Sequence, residues 1–179
     1  MGQAFQALSV WQVMGVGLLF FGGIYVLFAL GTLALTHWLL PALGWGRPLD
    51  TRPLRPGQLR RELKQSGTAI LIFGTGMIFP WGFLQLGWAH LTPNASATRI
   101  VLEILALVIW NDVHFWINHR LLHTRWLRRY HGPHHSSVVV TPFSTYSFHP
   151  LESIMLGNVI LLPMVVHDFS FWSLLSVPL

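Results

Sequence analysis

Residues 10–40 read VWQVMGVGLLFFGGIYVLFALGTLALTHWLL, a run without a single Asp, Glu, Lys or Arg. A helix crosses the hydrocarbon core of a bilayer in about 20 apolar residues, so this run is long enough to span and to emerge. Trp11 and Trp38 sit near its ends, where aromatic belts meet the headgroups. Gly15, Gly17, Gly22, Gly23 and Gly31 either let helices approach closely or are merely tolerated in lipid. The whole chain of 179 residues agrees with the run: 53% of residues are apolar and 9% charged. That balance predicts an all-α, integral membrane helical bundle in one domain, residues 1–179, with about four spans.

The other apolar stretches place those spans. They run over about 67–91, 99–119 and 151–179. Pro80 in the second is expected to kink it or fold it into a hairpin, and Pro163 with His167-Asp168 divides the fourth. Residues 41–66 form a polar connector broken by Pro41, Pro48, Pro53 and Pro56, with Leu59–Gln65 a short interfacial helix. Ten of the eleven Arg and Lys residues lie in 47–64 or 120–129, and only Arg99 falls elsewhere. Basic loops stay on the cytoplasmic side, which puts both regions there and the N-terminus across the membrane. The formal charge of +5 is thereby read as a membrane surface rather than nucleic-acid binding. With no positive residue before Arg47, the N-terminus is not a signal peptide.

Next to the second basic region lie two histidine clusters. His119-Arg-Leu-Leu-His123 puts two imidazoles on one helix face, a turn apart. His131-Gly-Pro-His134-His135 has the right spacing too, but Gly132 and Pro133 are expected to interrupt a helix, with Pro133 opening a new one. Five imidazoles within seventeen residues at a membrane edge point to a metal centre. Asp112, seven residues before His119, shares its face and is expected to ligate or to hold a ligand's second ring nitrogen. Imidazole sets suit Zn, Cu, Fe and Ni, and five ligands exceed what one tetrahedral zinc needs. Two metals bridged by a water or oxygen species would use them. The chain has no cysteine, which excludes disulfides, thiolate sites, Fe–S clusters and a cysteine nucleophile. No nucleophile elbow, P-loop or Rossmann turn is present.

Residues 112–123, DVHFWINHRLLH, resemble the first histidine box of the fatty acid hydroxylase and sterol desaturase superfamily. Residues 131–135, HGPHH, resemble its second box. Residues 141–152, TPFSTYSFHPLE, resemble the segment that follows, with its H-P-x-E. The resemblance implies a membrane-bound non-haem di-iron oxidoreductase that hydroxylates or desaturates a lipid with O2. The substrate would be a sterol, sphingoid base or fatty acyl chain, and the electrons would come from a donor such as cytochrome b5 or ferredoxin. It implies that His119, His123, His131, His134 and His135 are ligands of two iron ions, and that His149 and Glu152 of the H-P-x-E segment have a structural role or, like Asp112, stand behind the ligands in residues 112–152. Members of the family carry a third histidine box further on, which is absent here. The chain is therefore expected to be C-terminally incomplete.

Two other readings compete. A truncated, catalytically inactive paralogue would bind metal or a partner helix without chemistry. A bis-histidine haem protein would pair histidines such as His37, His90 and His119 across helices, leaving the local boxes unexplained.

Overall fold

A computed structural model describes residues 1–47 and 50–177. The expected break at Pro48 and the last two residues of the fourth apolar stretch lie outside the described residues. The described residues form helices and turns, without strands.

Three helical units are long and apolar enough to cross a membrane: Val10–Ala42, Gln58–Gln85 and Ala97–Leu122. A short helix, α1 (Gly2–Gln6), precedes the first. That first unit is α2 (Val10–Ala34), a π-helical turn over Leu35–Leu39, and α3 (Leu40–Ala42). Ser9 starts α2 with a capping box: its hydroxyl takes the Gln12 amide, and the Gln12 side chain takes the Ser9 amide. The second unit is α4 (Gln58–Gly76) followed by α5 (Ile78–Gln85). The helix is interrupted at Met77, three residues before Pro80, and the unit does not fold into a hairpin. Leu59–Gln65, expected as a separate interfacial helix, is the first part of α4. The third unit is α6 (Ala97–Leu122), capped by the Ser96 hydroxyl.

The fourth stretch is not one long helix. It is split into α8 (Pro150–Gly157), α9 (Leu161–Val166) and α10 (Phe171–Leu174). Between α9 and α10 the chain leaves the helix, and its backbone is held from outside: Thr92 Oγ1 and Arg99 donate to the Asp168 carbonyl, and the Thr92 amide donates to Phe169. Glu103, buried on α6, locks α10 in place. Its carboxylate accepts from Arg99 Nε at 2.7 Å, the Ser170 amide at 2.9 Å and the Ser173 hydroxyl at 2.6 Å. An ionisable group within a membrane helix persists only when paired in this way. The lone basic residue outside the two basic regions thus has a structural task.

Polar and small side chains share the interior with apolar ones such as Leu107, Leu122 and Met164. Buried positions include Gln58, Glu62, Ser66, Ser147, Ser153 and Ser173, whereas Leu19, Leu27 and Ile109 are exposed. Lipid solvates the large apolar side chains as well as a protein core would, so small and polar groups mediate helix contact. Where α2 crosses α4, a Cβ on Gly17 would run into the Gly74 carbonyl, and one on Gly74 would come within 2.8 Å of the Leu18 backbone. Gly15, Gly23 and Gly31 have nothing within 4 Å and are simply tolerated.

One strap carries the fold towards the site. After α7 (Arg128–His135) the chain runs back along the first half of α4. Gln58 Nε2 donates to the Val139 carbonyl at 2.6 Å, Thr141 Oγ1 to Glu62 at 2.6 Å, Ser66 Oγ to the Phe143 carbonyl at 3.0 Å, and Ser147 Oγ to Gln65 at 2.6 Å. Positions 58, 62, 65 and 66 share one helix face, so α4 serves as a rail for 139–147. The rail also brings the basic end of α4 beside the second basic region, with Arg61 donating to Ser137.

Candidate metal centre

His119 lies in the last turn of α6 and His123 caps its end. The chain then turns through 124–127, tied by the Thr124 hydroxyl to the Leu121 carbonyl, and enters α7. Contrary to expectation, α7 runs through Gly132 and Pro133 without a break. A proline forces its predecessor out of the helical region mainly through that residue's Cβ and N–H, and Gly132 has no Cβ. The continuous turn sets His131 and His135 on one face, as α6 does for His119 and His123.

The two faces meet. One nitrogen from each of His119, His123, His131 and His135 lies within 4.8 Å of the others. Nε2 of His119 and His123 are 3.1 Å apart, and Nε2 of His131 and His135 are 2.9 Å apart. Two nitrogens bound to one metal at about 2.1 Å, at right angles, stand roughly 3 Å apart. At such distances both nitrogens of a pair cannot carry protons, so at least one nitrogen of each pair presents a lone pair. The four-imidazole group thus has the donor chemistry and spacing of a metal-binding site.

Protonation agrees with that arrangement. Burial, then the neighbouring imidazoles of His135, His119 and His123, push His131 down to about 4. His131 Nδ1 faces away from the cluster, 2.8 Å from Glu152 Oε1. Both side chains are buried. Burial pushes the Glu152 carboxyl up to about 7, and its second oxygen has no partner among the described residues. A carboxylate behind a histidine fixes the ring's tautomer and orientation.

His134 does not join the four. Its ring lies against Phe148, with centroids 5.1 Å apart. Its Nδ1 is buried without a hydrogen-bond partner among the described residues. Burial and the His135 imidazole lower its pKa. Of Asp112 and Glu152, both expected behind the ligands, Glu152 is the one that contacts an imidazole of the group. Asp112 is exposed two turns up α6 and hydrogen-bonds to none of the imidazoles. His149 has a local role: it is the N-cap of α8, its Nδ1 accepting the Leu151 amide at 3.1 Å. With Pro150 opening that helix, Glu152 is delivered in its first turn. Histidines nominated for haem are scattered. His37 contacts Thr36, His90 faces Asp168 at 3.9 Å, and neither approaches His119. The basic rim carries stacked pairs, Arg120 over Trp116 and Arg125 over Trp126, suited to a membrane surface.

Comparison with known proteins bears on the same region. The fatty acid hydroxylase family model matches residues 104–178. A Delta(7)-sterol 5(6)-desaturase of Eremothecium gossypii is 33% identical over 104 residues, covering 53% of this chain and 29% of that protein. The corresponding desaturase of Saccharomyces cerevisiae is 30% identical over 105 residues, 55% of this chain and 28% of that protein. Human lathosterol oxidase is 29% identical over 94 residues, 52% of this chain and 25% of that protein. The chain therefore spans under a third of the length of these relatives. No solved structure matches. Both histidine boxes and the H-P-x-E segment lie inside the region that matches the fatty acid hydroxylase family model, and over that part the chain is similar to sterol desaturases.

Proposed function

We propose that this chain carries part of the oxidising centre of a membrane lipid desaturase or hydroxylase, with a sterol-type lipid as substrate. The observation that carries the reading is the convergence of four imidazoles, from helix ends that meet at the basic face of a membrane bundle. The relatives named as sterol desaturases and a lathosterol oxidase support the lipid class. His119, His123, His131 and His135 would hold one non-haem iron. The buried Nδ1 of His134, left unpartnered beside them, fits a ligand of a second. Iron supplies O2 activation and the power to remove hydrogen from an unactivated C–H bond.

The protein's own groups do the rest. Glu152 holds the His131 Nδ1 proton, so that Nε2 keeps its lone pair for the metal. The basic rim around Arg120, Arg125, Arg128 and Arg129 faces the cytosol by the positive-inside rule and would receive an acidic electron donor of the cytochrome b5 or ferredoxin kind.

The test is metal analysis of the purified chain, followed by lipid product analysis in a host that expresses it. Bound iron that disappears in His119→Ala and His135→Ala supports the reading. Iron absent from the wild type, or unaffected by both substitutions, rejects it.

A further inference from the structure

Of the eleven Arg and Lys residues, Arg52 pairs with Asp50 and Arg99 with Glu103. The others meet no carboxylate among the described residues. Three of them, Arg60, Arg61 and Lys64, stand in the first two turns of α4. That is the end of a helix where unpaired amides gather and cations are disfavoured. Gly57, just before α4, has no side chain to cap it. The one acid nearby, Glu62, is buried and spent on Gln58 and Thr141. Positive charge is gathered here with nothing to balance it.

Arg61 is the least satisfied of the three. Its one polar contact is long, 3.4 Å from a terminal nitrogen to the Ser137 hydroxyl. Its Nε is buried without a partner among the described residues. A buried donor left unpartnered is costly, and an oxyanion that draws the guanidinium outwards relieves the cost. Phosphate matches the guanidinium fork in geometry.

The surroundings of the three cations distinguish a lipid phosphate from a soluble one. Arg60, Lys64, Gly67 and Leu71 recur at i, i+4, i+7 and i+11, so they form one stripe along α4. All four are exposed. The stripe begins in cations and runs on into the apolar part of the spanning unit Gln58–Gln85. Nothing lies within 4 Å of a Cβ added at Gly67, which leaves open space beside the helix between Lys64 and Leu71. Leu59 and Leu63, on the neighbouring flank, are exposed as well. Cations interleaved with apolar side chains suit the level where headgroups meet acyl chains.

We propose that the Arg60–Arg61–Lys64 face of α4 binds the phosphate of an anionic phospholipid, with an acyl chain lying along Gly67 and Leu71. The lipid is a companion of the fold, bound apart from the imidazoles, which belong to α6 and α7. The site therefore stands whether or not those imidazoles hold iron. Because Arg61 also touches Ser137, two residues past His135, the headgroup fastens the start of the strap to α4.

The test is native mass spectrometry of the 179-residue chain in a neutral detergent, with dioleoyl-phosphatidylglycerol or dioleoyl-phosphatidylcholine added. Phosphatidylglycerol is expected to bind at about tenfold lower concentration than phosphatidylcholine. Lys64→Gln should weaken phosphatidylglycerol binding about fivefold, and Arg60→Gln, Arg61→Gln and Lys64→Gln together roughly ten- to hundredfold. Arg125→Gln, Arg128→Gln and Arg129→Gln together remove the same charge elsewhere and should change it by less than about twofold. Melting temperatures in phosphatidylcholine check that the variants fold; Lys64→Gln, at an exposed position, carries the test if the triple variant does not. Equal binding of the two lipids, an unaltered affinity in Lys64→Gln, or equal losses from both triple variants overturns the proposal. So does displacement of the lipid by an equal concentration of inorganic phosphate, the mark of a free-anion site, or of polyglutamate, the mark of a protein-docking face.

Discussion

Glu152 and His131 are 21 residues apart in sequence, and their side chains meet at 2.8 Å in a setting closed to solvent. The contact ties α8 to α7 and aims an imidazole at the centre of the cluster. Removing the carboxylate frees the ring to rotate and leaves its Nδ1 buried without a partner. Glu152→Ala is expected to weaken metal binding about 10–100-fold, with Glu152→Gln milder because its amide oxygen still accepts. Titration of the metal-free protein with Fe(II) or Co(II) measures both.

The same pair predicts a pH profile. His131 is at about 4 in the fold against an ordinary 6.5, so between those values the unfolded chain binds the extra proton and stability rises with pH. Glu152 is at about 7 against an ordinary 4.5, so between those values the fold binds the extra proton and stability falls as pH rises. The slopes cancel over the shared window. The pair's contribution should be flat from about 4.5 to 6.5 and fall only slightly on either side, towards 4 and towards 7. Thermal melts of metal-free wild type against Glu152→Gln read the difference. Metal binding near pH 6 should also release about one proton from Glu152, measurable by calorimetry in buffers of different ionisation enthalpy.

His134 and His135 are neighbours in sequence with unequal expected effects. His135 belongs to the four-imidazole group and His134 packs on Phe148. His135→Ala should abolish binding of the first metal equivalent, whereas His134→Ala should keep it and lose only a second. Metal-to-protein ratios by elemental analysis decide between these outcomes.

The α2–α4 crossing has no room for a side chain. Gly74→Leu should cost about 1–3 kcal/mol, because its Cβ meets the backbone of Leu18. Gly23→Leu, with nothing within 4 Å of the added atom, should be near neutral. Melting temperatures in a fixed detergent compare the two.

Glu62 holds the strap that follows the second box. Glu62→Leu leaves the Thr141 hydroxyl without its acceptor and the Gln58 amide with the Val139 carbonyl alone. A loss of about 1–3 kcal/mol is expected, together with faster backbone amide exchange over 139–147, measured by hydrogen–deuterium exchange mass spectrometry.

Much of the architecture was legible in the chain. The three long spans follow from uninterrupted apolar length, and the His119–His123 pairing follows from helical period. The second box was misread at Gly132-Pro133, because the usual rule for a residue before proline presumes a Cβ that glycine lacks. The fourth stretch looked like a span by hydropathy. Its break needed Thr92, Arg99 and Glu103, all distant in sequence, to take up its backbone and cap groups.

By itself the sequence determined that the chain lives in lipid, that its imidazoles come in pairs on helix faces, and that those pairs lie near the basic ends of apolar helices. These are properties of local period and of apolar length, which need no partner to be expressed. Only the tertiary structure decided which four imidazoles share a centre, and that Glu152 rather than Asp112 stands behind one of them. It likewise set Arg61 against Ser137, two residues past the second box. Those choices depend on how two short helices turn back on one another and on α4, and such long-range contacts leave no periodic trace in the residues that make them.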